Sequence, residues 1–478
     1  MTCRRAGLSI VASLSLTALL AGCSVGPKYS RPSAPTAPRF KEVAGWQPAH
    51  PDDQKSRGKW WEAYGDPELN RLEDQVEISN QSLKLALTEY TSARAEVQYQ
   101  RANYFPFLNA SAAATRQRGS ENRTFYFPSL NQYNDFSLPL DVSWEPDVWG
   151  RIRHTVQAAR ATAQSTAADV QNVRLSLQAE LALDYFEMRG LDSEKSILDA
   201  TVQAYRHSLR LTEERYRVGL NSALDVAEAQ TQLKTAEAQD QDVGVARAQF
   251  EHGIAVLIGV APAMLTIPPQ QDVVATPLVV PAGLPSQLLE RRPDIAAVER
   301  QMDAANAQIG IARSAYYPTF AISGVGGFES AQPGNWFTGP SSFWAMGASA
   351  FLPLIDWGQR RALNTEAQAN YDGTVANYRQ TVLSAYREVE DNLAALRILQ
   401  QEAVTQQAAV DAARHQEDIA LSRYRSGLAD YLTVITAQSI DLSNQITAAQ
   451  IRTRQMSASV LLIKALGGGW NANQLPKD

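Results

Sequence analysis

The sequence predicts a mainly α-helical chain with a transmembrane β portion. Its long coiled-coil helices would form a trimeric α-barrel, and four strands per chain would contribute to a shared twelve-stranded β-barrel. Three features carry this reading. No proline falls between Asp147 and Ala261, or between Leu354 and Leu475, although the chain holds 23 prolines. The chain also repeats itself: Trp149-Gly150-Arg151 returns as Trp357-Gly358-Gln359, and Arg215-Tyr216-Arg217-Val218-Gly219-Leu220 as Arg423-Tyr424-Arg425-Ser426-Gly427-Leu428, both 208 positions on. Between the helices, Asp135 to Glu145 alternates apolar and polar side chains.

Residues 1–22 read as a lipoprotein signal peptide. Arg4 and Arg5 precede an apolar stretch, Leu8 to Leu20, that is too short to span a bilayer and suits a secretory signal. It ends in Leu20-Ala21-Gly22-Cys23, which resembles a bacterial lipobox, whose cysteine is acylated and becomes the mature N-terminus. Cys3 leaves with the signal and Cys23 carries lipid, so no disulfide framework or cysteine metal site is available. One acyl chain, at about 0.8 kcal/mol per buried methylene, anchors weakly, whereas several on one cysteine hold firmly. A net charge of −6 argues against a nucleic-acid partner.

The remaining elements follow in order. Residues 23–66 are an acylated N-terminal segment and equatorial part, and 67–106 a helix. Residues 107–146 form a first β-hairpin, Phe107 to Arg118 leading into Asp135 to Glu145. Phe136, Leu138, Leu140, Val142 and Trp144 share one face, and Asp135, Ser137, Asp141 and Ser143 the other, the pattern of lipid outside and water inside. Residues 147–261 form a long helical hairpin, 262–284 a Pro-rich equatorial linker, and 285–318 a helix. A second β-hairpin spans 319–354, with Trp344, Met346, Ala348, Ala350 and Leu352 outward and Gly347 and Ser349 inward. Residues 355–466 form the second long helical hairpin, and 467–478 a tail.

The two longest helices, Arg151 to Val218 and Gln359 to Ser426, are rich in Ala, Gln, Leu, Glu and Arg and free of proline. At 1.5 Å per residue each is a rod about 100 Å long, which must pack sideways on other rods. The repeat period is far longer than that of solenoids, so the chain is a duplication of one subdomain. A soluble sandwich is the alternative for the strands, but no second sheet is on offer to cover them. Four strands cannot close a barrel, and a membrane strand cannot leave its edge unpaired. Two chains would give eight strands around a filled interior, and three give twelve around a lumen. Along the last helix, Leu432, Ile435, Ser439, Leu442, Ile446, Ala449, Thr453, Met456, Val460 and Ile463 keep coiled-coil spacing, facing a neighbouring helix or another subunit. Trp149-Gly150 and Trp357-Gly358 mark strand-to-helix turns. Gly219 and Gly427 mark helix reversals, each followed by an N-cap candidate (Asn221 or Ser222; Asp430).

These residues resemble the outer-membrane factors of tripartite export systems, of the TolC and OprM type and especially the NodT-like lipoproteins. The resemblance covers essentially the whole mature chain. It rests on the lipobox, on Trp60-Trp61 with Asp66-Pro67-Glu68-Leu69-Asn70, on Arg291-Arg292-Pro293-Asp294-Ile295, on the paired Trp-Gly and Gly-Leu motifs, and on the ending Ala465-Leu466-Gly467-Gly468-Gly469-Trp470. It implies a homotrimer in the outer membrane of a Gram-negative bacterium, lipid-anchored through Cys23, with a long periplasmic extension. The tips Val218-Gly219-Leu220 and Ser426-Gly427-Leu428 would meet a periplasmic adaptor, the membrane fusion protein, itself joined to an inner-membrane pump of the RND type. In such proteins the periplasmic end is narrowed by an apolar and an acidic ring. Leu432 matches the apolar position and Tyr424 a tyrosine of the closed state, whereas Thr436 stands where the family has its acid. Glu228, the counterpart of Thr436 in the first repeat, either supplies the missing charge or belongs to a solvated helix face.

The implied function is passive efflux of small molecules through a multidrug-type channel. A type I protein-secretion channel and a passive porin or envelope spacer remain as alternatives. No catalytic residues and no metal site are expected, and no cofactor beyond the lipid on Cys23. The five histidines are scattered without ligand spacing, and Gly324-Val325-Gly326-Gly327 lies in a candidate strand without dinucleotide context.

Overall fold

A computed structural model describes residues 24–35, 37–43, 58–122, 132–270 and 291–476. Cys23 and residues 1–22 lie outside the described residues, as does most of the 262–284 linker. Seven helices account for most of what is described: α1 (Pro67–Ser79), α2 (Gln81–Ala102), α3 (Arg151–Arg217), α4 (Ala223–Leu257), α5 (Pro293–Ser314), α6 (Gln359–Arg425) and α7 (Tyr431–Ala465). The duplication extends to element length. Both α3 and α6 have 67 residues, both α4 and α7 have 35, and both α2 and α5 have 22.

The stretch 67–106, expected as one helix, is two. Asn80 leaves the helical region (φ −61°, ψ 127°) and its side chain caps α2 by accepting from the Leu83 N–H. Its Nδ2 donates to the Leu257 carbonyl at 2.7 Å, and Ser79 Oγ donates to the Ile258 carbonyl at 2.7 Å. These bonds hold the break against the end of α4, a tertiary cause that helix propensity does not report.

Five strands form one antiparallel sheet: β1 (Phe107–Ala110), β2 (Ala113–Arg118), β3 (Gln132–Trp144), β4 (Thr319–Ser330) and β5 (Ser342–Phe351). β1 and β2 pair with β3 in one continuous register, so they are a single strand interrupted at Ser111 and Ala112. The cause is Pro139 on β3. It accepts from the Ser111 N–H at 3.2 Å but has no N–H to return. β3 then pairs with β4 and β4 with β5, joining the two hairpins. Gly327 faces Pro139, and a Cβ there would lie 2.2 Å from the Leu138 carbonyl oxygen, so only glycine admits this pairing.

The register sorts the two faces chemically. Ala110, Leu140, Gly326 and Trp344 form one rung, and Leu108, Val142, Gly324 and Met346 the next. The opposite face carries Asn109 with Asp141, Ser137 with Glu329, and Ser143 with Ser323 and Gly347. No residue of any strand is buried. An apolar sheet face with nothing upon it is costly in water, at about 25 cal/mol per Å².

The core lies at mid-height. Trp60, Trp61 and Tyr64 pack on Phe186 and Met188 of α3, Ile254 of α4 and Met456 and Val460 of α7. Each such side chain contributes roughly 1.5–3 kcal/mol when fully buried. Gly190 lets α3 approach α7 closely, since a Cβ would lie 2.2 Å from Thr453 Oγ1. Arg292 is a second knot. It pairs with Asp294 and Glu388, each at 2.7 Å, and donates to the Ala465 carbonyl at 3.0 Å. The Gly-Gly-Gly ending turns back here with φ of +92°, +60° and +90°, seating Trp470 on Ala168, Ala296 and Ala297.

Candidate functional site

The two reversals have the same geometry. Gly219, at φ +79°, donates to the Tyr216 carbonyl, and Leu220 N–H reaches back to Arg215. Gly427, at φ +76°, donates to Tyr424, and Leu428 N–H reaches back to Arg423. This paired 5→2 and 6→1 arrangement satisfies the last carbonyls of α3 and α6 and requires the left-handed conformation. Ser222, not Asn221, caps α4, in a reciprocal box with Asp225, and Asp430 caps α7. The leucine after each glycine usually packs back on its helix. Here Leu220 is 68% and Leu428 69% exposed, with Val218 at 70%. Ser426 is exposed, its Oγ donating to the Ser422 carbonyl at 3.0 Å.

Behind the tips the two repeats diverge. Tyr424 is 3% exposed, whereas its counterpart Tyr216 is 49% exposed. The Tyr424 hydroxyl meets Thr212 Oγ1 at 3.1 Å and accepts from Asn221 Nδ2 at 2.5 Å, and its ring lies 5.4 Å from that of Tyr431. The Arg215 guanidinium sits 4.9 Å from the Tyr424 ring centroid and donates to Asn221 Oδ1 and to the Arg425 carbonyl at 3.2 Å. Tyr424 and Arg215 therefore latch the second tip to the first. The family resemblance marks Tyr424 in the sequence, whereas its partners Arg215, Asn221 and Thr212 emerge only from the fold. The repeated hexapeptide contained Arg215 without revealing what it would hold.

Above the latch, α4 and α7 diverge around a groove of about 870 Å³ that Glu228 and Leu432 both line, with Ile435, Ser439, Leu442 and Ile446. The upper part of the α7 seam, Thr453, Met456, Val460 and Ile463, is buried instead. Thr436 is exposed, lies outside the groove lining and donates its hydroxyl to the Leu432 carbonyl at 2.9 Å. A carboxylate therefore faces the groove from α4 only at Glu228. Burial, Tyr424, Tyr205 and Glu228 together push the Tyr431 hydroxyl well above its usual range, so it stays a neutral donor.

At the other end, Trp149 donates Nε1 to the Pro318 carbonyl at 2.8 Å and stacks on Tyr317 with centroids 4.7 Å apart. Gly150, at φ +86°, leaves room for Ser24, whose Oγ lies 2.9 Å from His154 Nε2. Trp357, by contrast, is 97% exposed at φ +51°, and nothing lies within 4 Å of a Cβ built on Gly358. Among the described residues, no helix is long and apolar enough to cross a membrane, and no three His, Cys, Asp or Glu side chains gather as a metal site.

An uncovered sheet with one face apolar through its central rungs, continued by rods of about 100 Å that end in exposed leucines, defines the class: a channel subunit spanning a membrane with strands and an adjoining compartment with helices. The chain belongs to the outer membrane efflux protein family, whose pattern matches residues 72–260 and 284–468. It is 33% identical over 463 residues to the toluene efflux pump outer membrane protein TtgC of Pseudomonas putida, covering 96% of this chain and 95% of that protein. It is 32% identical over 468 residues to the outer membrane protein OprJ of Pseudomonas aeruginosa, with 96% of each covered. The solved outer-membrane channel OprN superposes with a TM-score of 0.87 at 29% identity, covering 94% of this chain and all of that one. The protein is thus an outer-membrane efflux component, in a family of channels and not of enzymes.

Proposed function

We propose that three copies form a passive conduit, the outer-membrane part of a tripartite pump, carrying small organic molecules from a periplasmic adaptor and an RND-type inner-membrane pump to the exterior. One observation carries this reading: a four-stranded sheet with both edges open, one face apolar through its central rungs and the other bearing Asn109, Ser137, Asp141, Ser143, Ser323 and Glu329. Such a sheet is stable in a bilayer only when closed, and three copies supply the twelve strands that leave a water-filled lumen. The lipid on Cys23 anchors the same assembly, since the next residue, Ser24, lies against Gly150 and His154 at the foot of the sheet.

At the periplasmic end, Val218, Leu220 and Leu428 are apolar residues held out in water by glycine turns, suited to docking the adaptor. The groove with Glu228 and Leu432 is the constriction, and Glu228 takes the acidic role that Thr436 leaves open. Three such carboxylates around a narrow entrance would repel one another and attract cations. Opening is a shift of the α6–α7 pair relative to α3–α4 once the Tyr424–Arg215 latch releases. The name of TtgC specifies toluene, which favours small cargo over secreted proteins. The test is twofold. Purified protein should run as a trimer and conduct ions in planar lipid, and photo-crosslinkers at Leu220 and Leu428 should capture one adaptor in cells. Conductance without any adaptor adduct would leave a passive porin, and a non-conducting monomer would remove the channel reading altogether.

A further inference from the structure

We propose that Arg116 and Arg118, on the lipid-facing side of β2 at its outer end, form a phosphate-binding site for a lipid headgroup of the outer leaflet. The ligand is a phosphorylated glycolipid, held once per chain. The inference rests on the sheet spanning the outer membrane and needs neither the trimer nor the adaptor.

The register places both arginines on the apolar face. β2 pairs with β3 so that Ala114 lies opposite Phe136, Arg116 opposite Asn134 and Arg118 opposite Gln132. Paired residues share a face, and alternate residues along a strand return to it, so Arg116 and Arg118 stand on the side of Phe136, Leu138, Leu140 and Val142. The interruption at Ser111 and Ala112 does not change this parity, because β1 and β2 keep one register against β3. Charge is sorted by sign between the faces. Asp135, Asp141 and Glu329, the acidic residues of the described strands, all lie on the opposite face, and Arg116 and Arg118 are the only basic residues those strands contain.

Their depth follows from strand geometry. From Trp144 to Phe136 the apolar face of β3 runs about 27 Å along the strand, or roughly 20 Å of depth at the usual tilt of about 40°. The next rung, Arg116 with Asn134, stands about 5 Å further on, close to the top of an apolar band about 25 Å tall. This is the end of the sheet away from the helices, hence the outer leaflet. An aromatic cluster marks the same boundary: Phe136 lies 5.7 Å from Trp336, which stacks on Phe337 at 5.0 Å. A basic pair just beyond such a girdle meets headgroups, not acyl chains.

The two arginines are available. Arg118 meets Glu121 at 3.1 Å with both side chains exposed, a pairing that holds weakly in water. Among the described residues nothing pairs with Arg116, which is exposed. Its planar fork matches two phosphate oxygens. The second repeat has no such pair, since the counterparts 212 positions on are Phe328 and Ser330. The helical end of the apolar face has none either, its rung being Trp144, Ile322 and Ala348. The occupant is lipid and not a free ion because the apolar face continues directly below, through Ala114 and Phe136: a headgroup bound at Arg116 lays its acyl chains there, and an inorganic anion gains nothing from that surface.

Full-length protein in detergent micelles provides the test. Added diphosphoryl lipid A should raise the thermal midpoint and remain bound in native mass spectrometry. Lipid A stripped of its phosphates, and inorganic phosphate at matched concentration, should do neither. Arg116→Gln should weaken lipid A binding about 10-fold, and the double variant with Arg118→Gln further, because charge-assisted bonds to phosphate are lost. Arg116→Lys, which keeps the charge but not the fork, should fall between wild type and Arg116→Gln. Arg361→Gln, the same change at an exposed position at the helical end of the sheet, should leave binding unchanged. Without lipid A all these variants should melt with the wild type. Undiminished binding by the double variant, or equal binding of the stripped lipid, overturns the site and leaves the sheet in the membrane. Displacement of lipid A by matched inorganic phosphate would put a free anion there and refute the lipid. Protein that stays dispersed in buffer without detergent would instead take down the membrane-spanning reading itself.

Discussion

Replacing Tyr424 with Phe removes one oxygen and nothing else from the latch. The ring stays buried, and its contacts with Tyr431 at 5.4 Å and with Arg215 at 4.9 Å persist, so folding should be unaffected. Two hydrogen bonds are lost, to Thr212 and Asn221. A neutral bond of this kind contributes about 1 kcal/mol net. Thr212 keeps its bond to the Ser208 carbonyl and Asn221 is only half-buried, so water recovers part of the loss. The variant should therefore weaken the closed state by about 1–2 kcal/mol per chain, roughly 5- to 30-fold in the opening equilibrium. Arg215→Ala should go further, since it removes a charged donor to the Arg425 carbonyl, where such bonds contribute about 1.5–3 kcal/mol. The assay is single-channel recording in planar lipid, scoring the fraction of time open. Tyr216→Phe is the decisive control: the same residue in the same repeated motif, but 49% exposed and outside the latch. If Tyr216→Phe opens the channel as much as Tyr424→Phe, or if Tyr424→Phe behaves as wild type, the latch is not what holds the tip closed.

Three further outcomes are expected. Gly219→Pro or Gly427→Pro should abolish dye efflux while trimers persist in outer-membrane fractions, because proline's fixed φ cannot reach +79° or +76° and its missing N–H undoes the turn. Gly327→Val should sharply reduce the yield of assembled protein, since its Cβ would sit 2.2 Å from the Leu138 carbonyl oxygen and force β3 from β4, as quantitative blotting of membranes will show. Asp184 is pushed up from 3.8 to about 6, first by burial and then by Glu180 and Glu187. A raised acid favours folding when protonated, so its contribution is present below about pH 4 and lost as pH rises through about 6. Asp184→Asn should accordingly raise the thermal midpoint at pH 8 and leave it unchanged near pH 4, and a gain of equal size at both values would refute this account.

The alternation from Phe136 to Trp144 was readable because strand side chains point to opposite faces with a period of two, a property of the backbone alone. The same holds for the proline-free rods and the glycines at 219 and 427, whose chemistry depends on residues within one helical turn. The break at Asn80 was hidden because an asparagine inside a polar helix is unremarkable until its amide finds the Leu257 carbonyl on a distant helix. What sequence could least resolve was which member of each duplicated pair does what. Tyr216 and Tyr424 sit in near-identical hexapeptides, as Trp149 and Trp357 sit in matching turns, so local propensity treats the members of each pair alike. Only the packing of one repeat against the other buried Tyr424 on Thr212, seated Trp149 on Tyr317, and set Glu228 across the groove from Leu432. Sequence by itself determined the rods, the turns and the two-faced strands, because these are short-range. The tertiary structure decided the latch, the groove and the open edges, because a duplicated chain becomes asymmetric only when one copy has a neighbour on a side where the other has none.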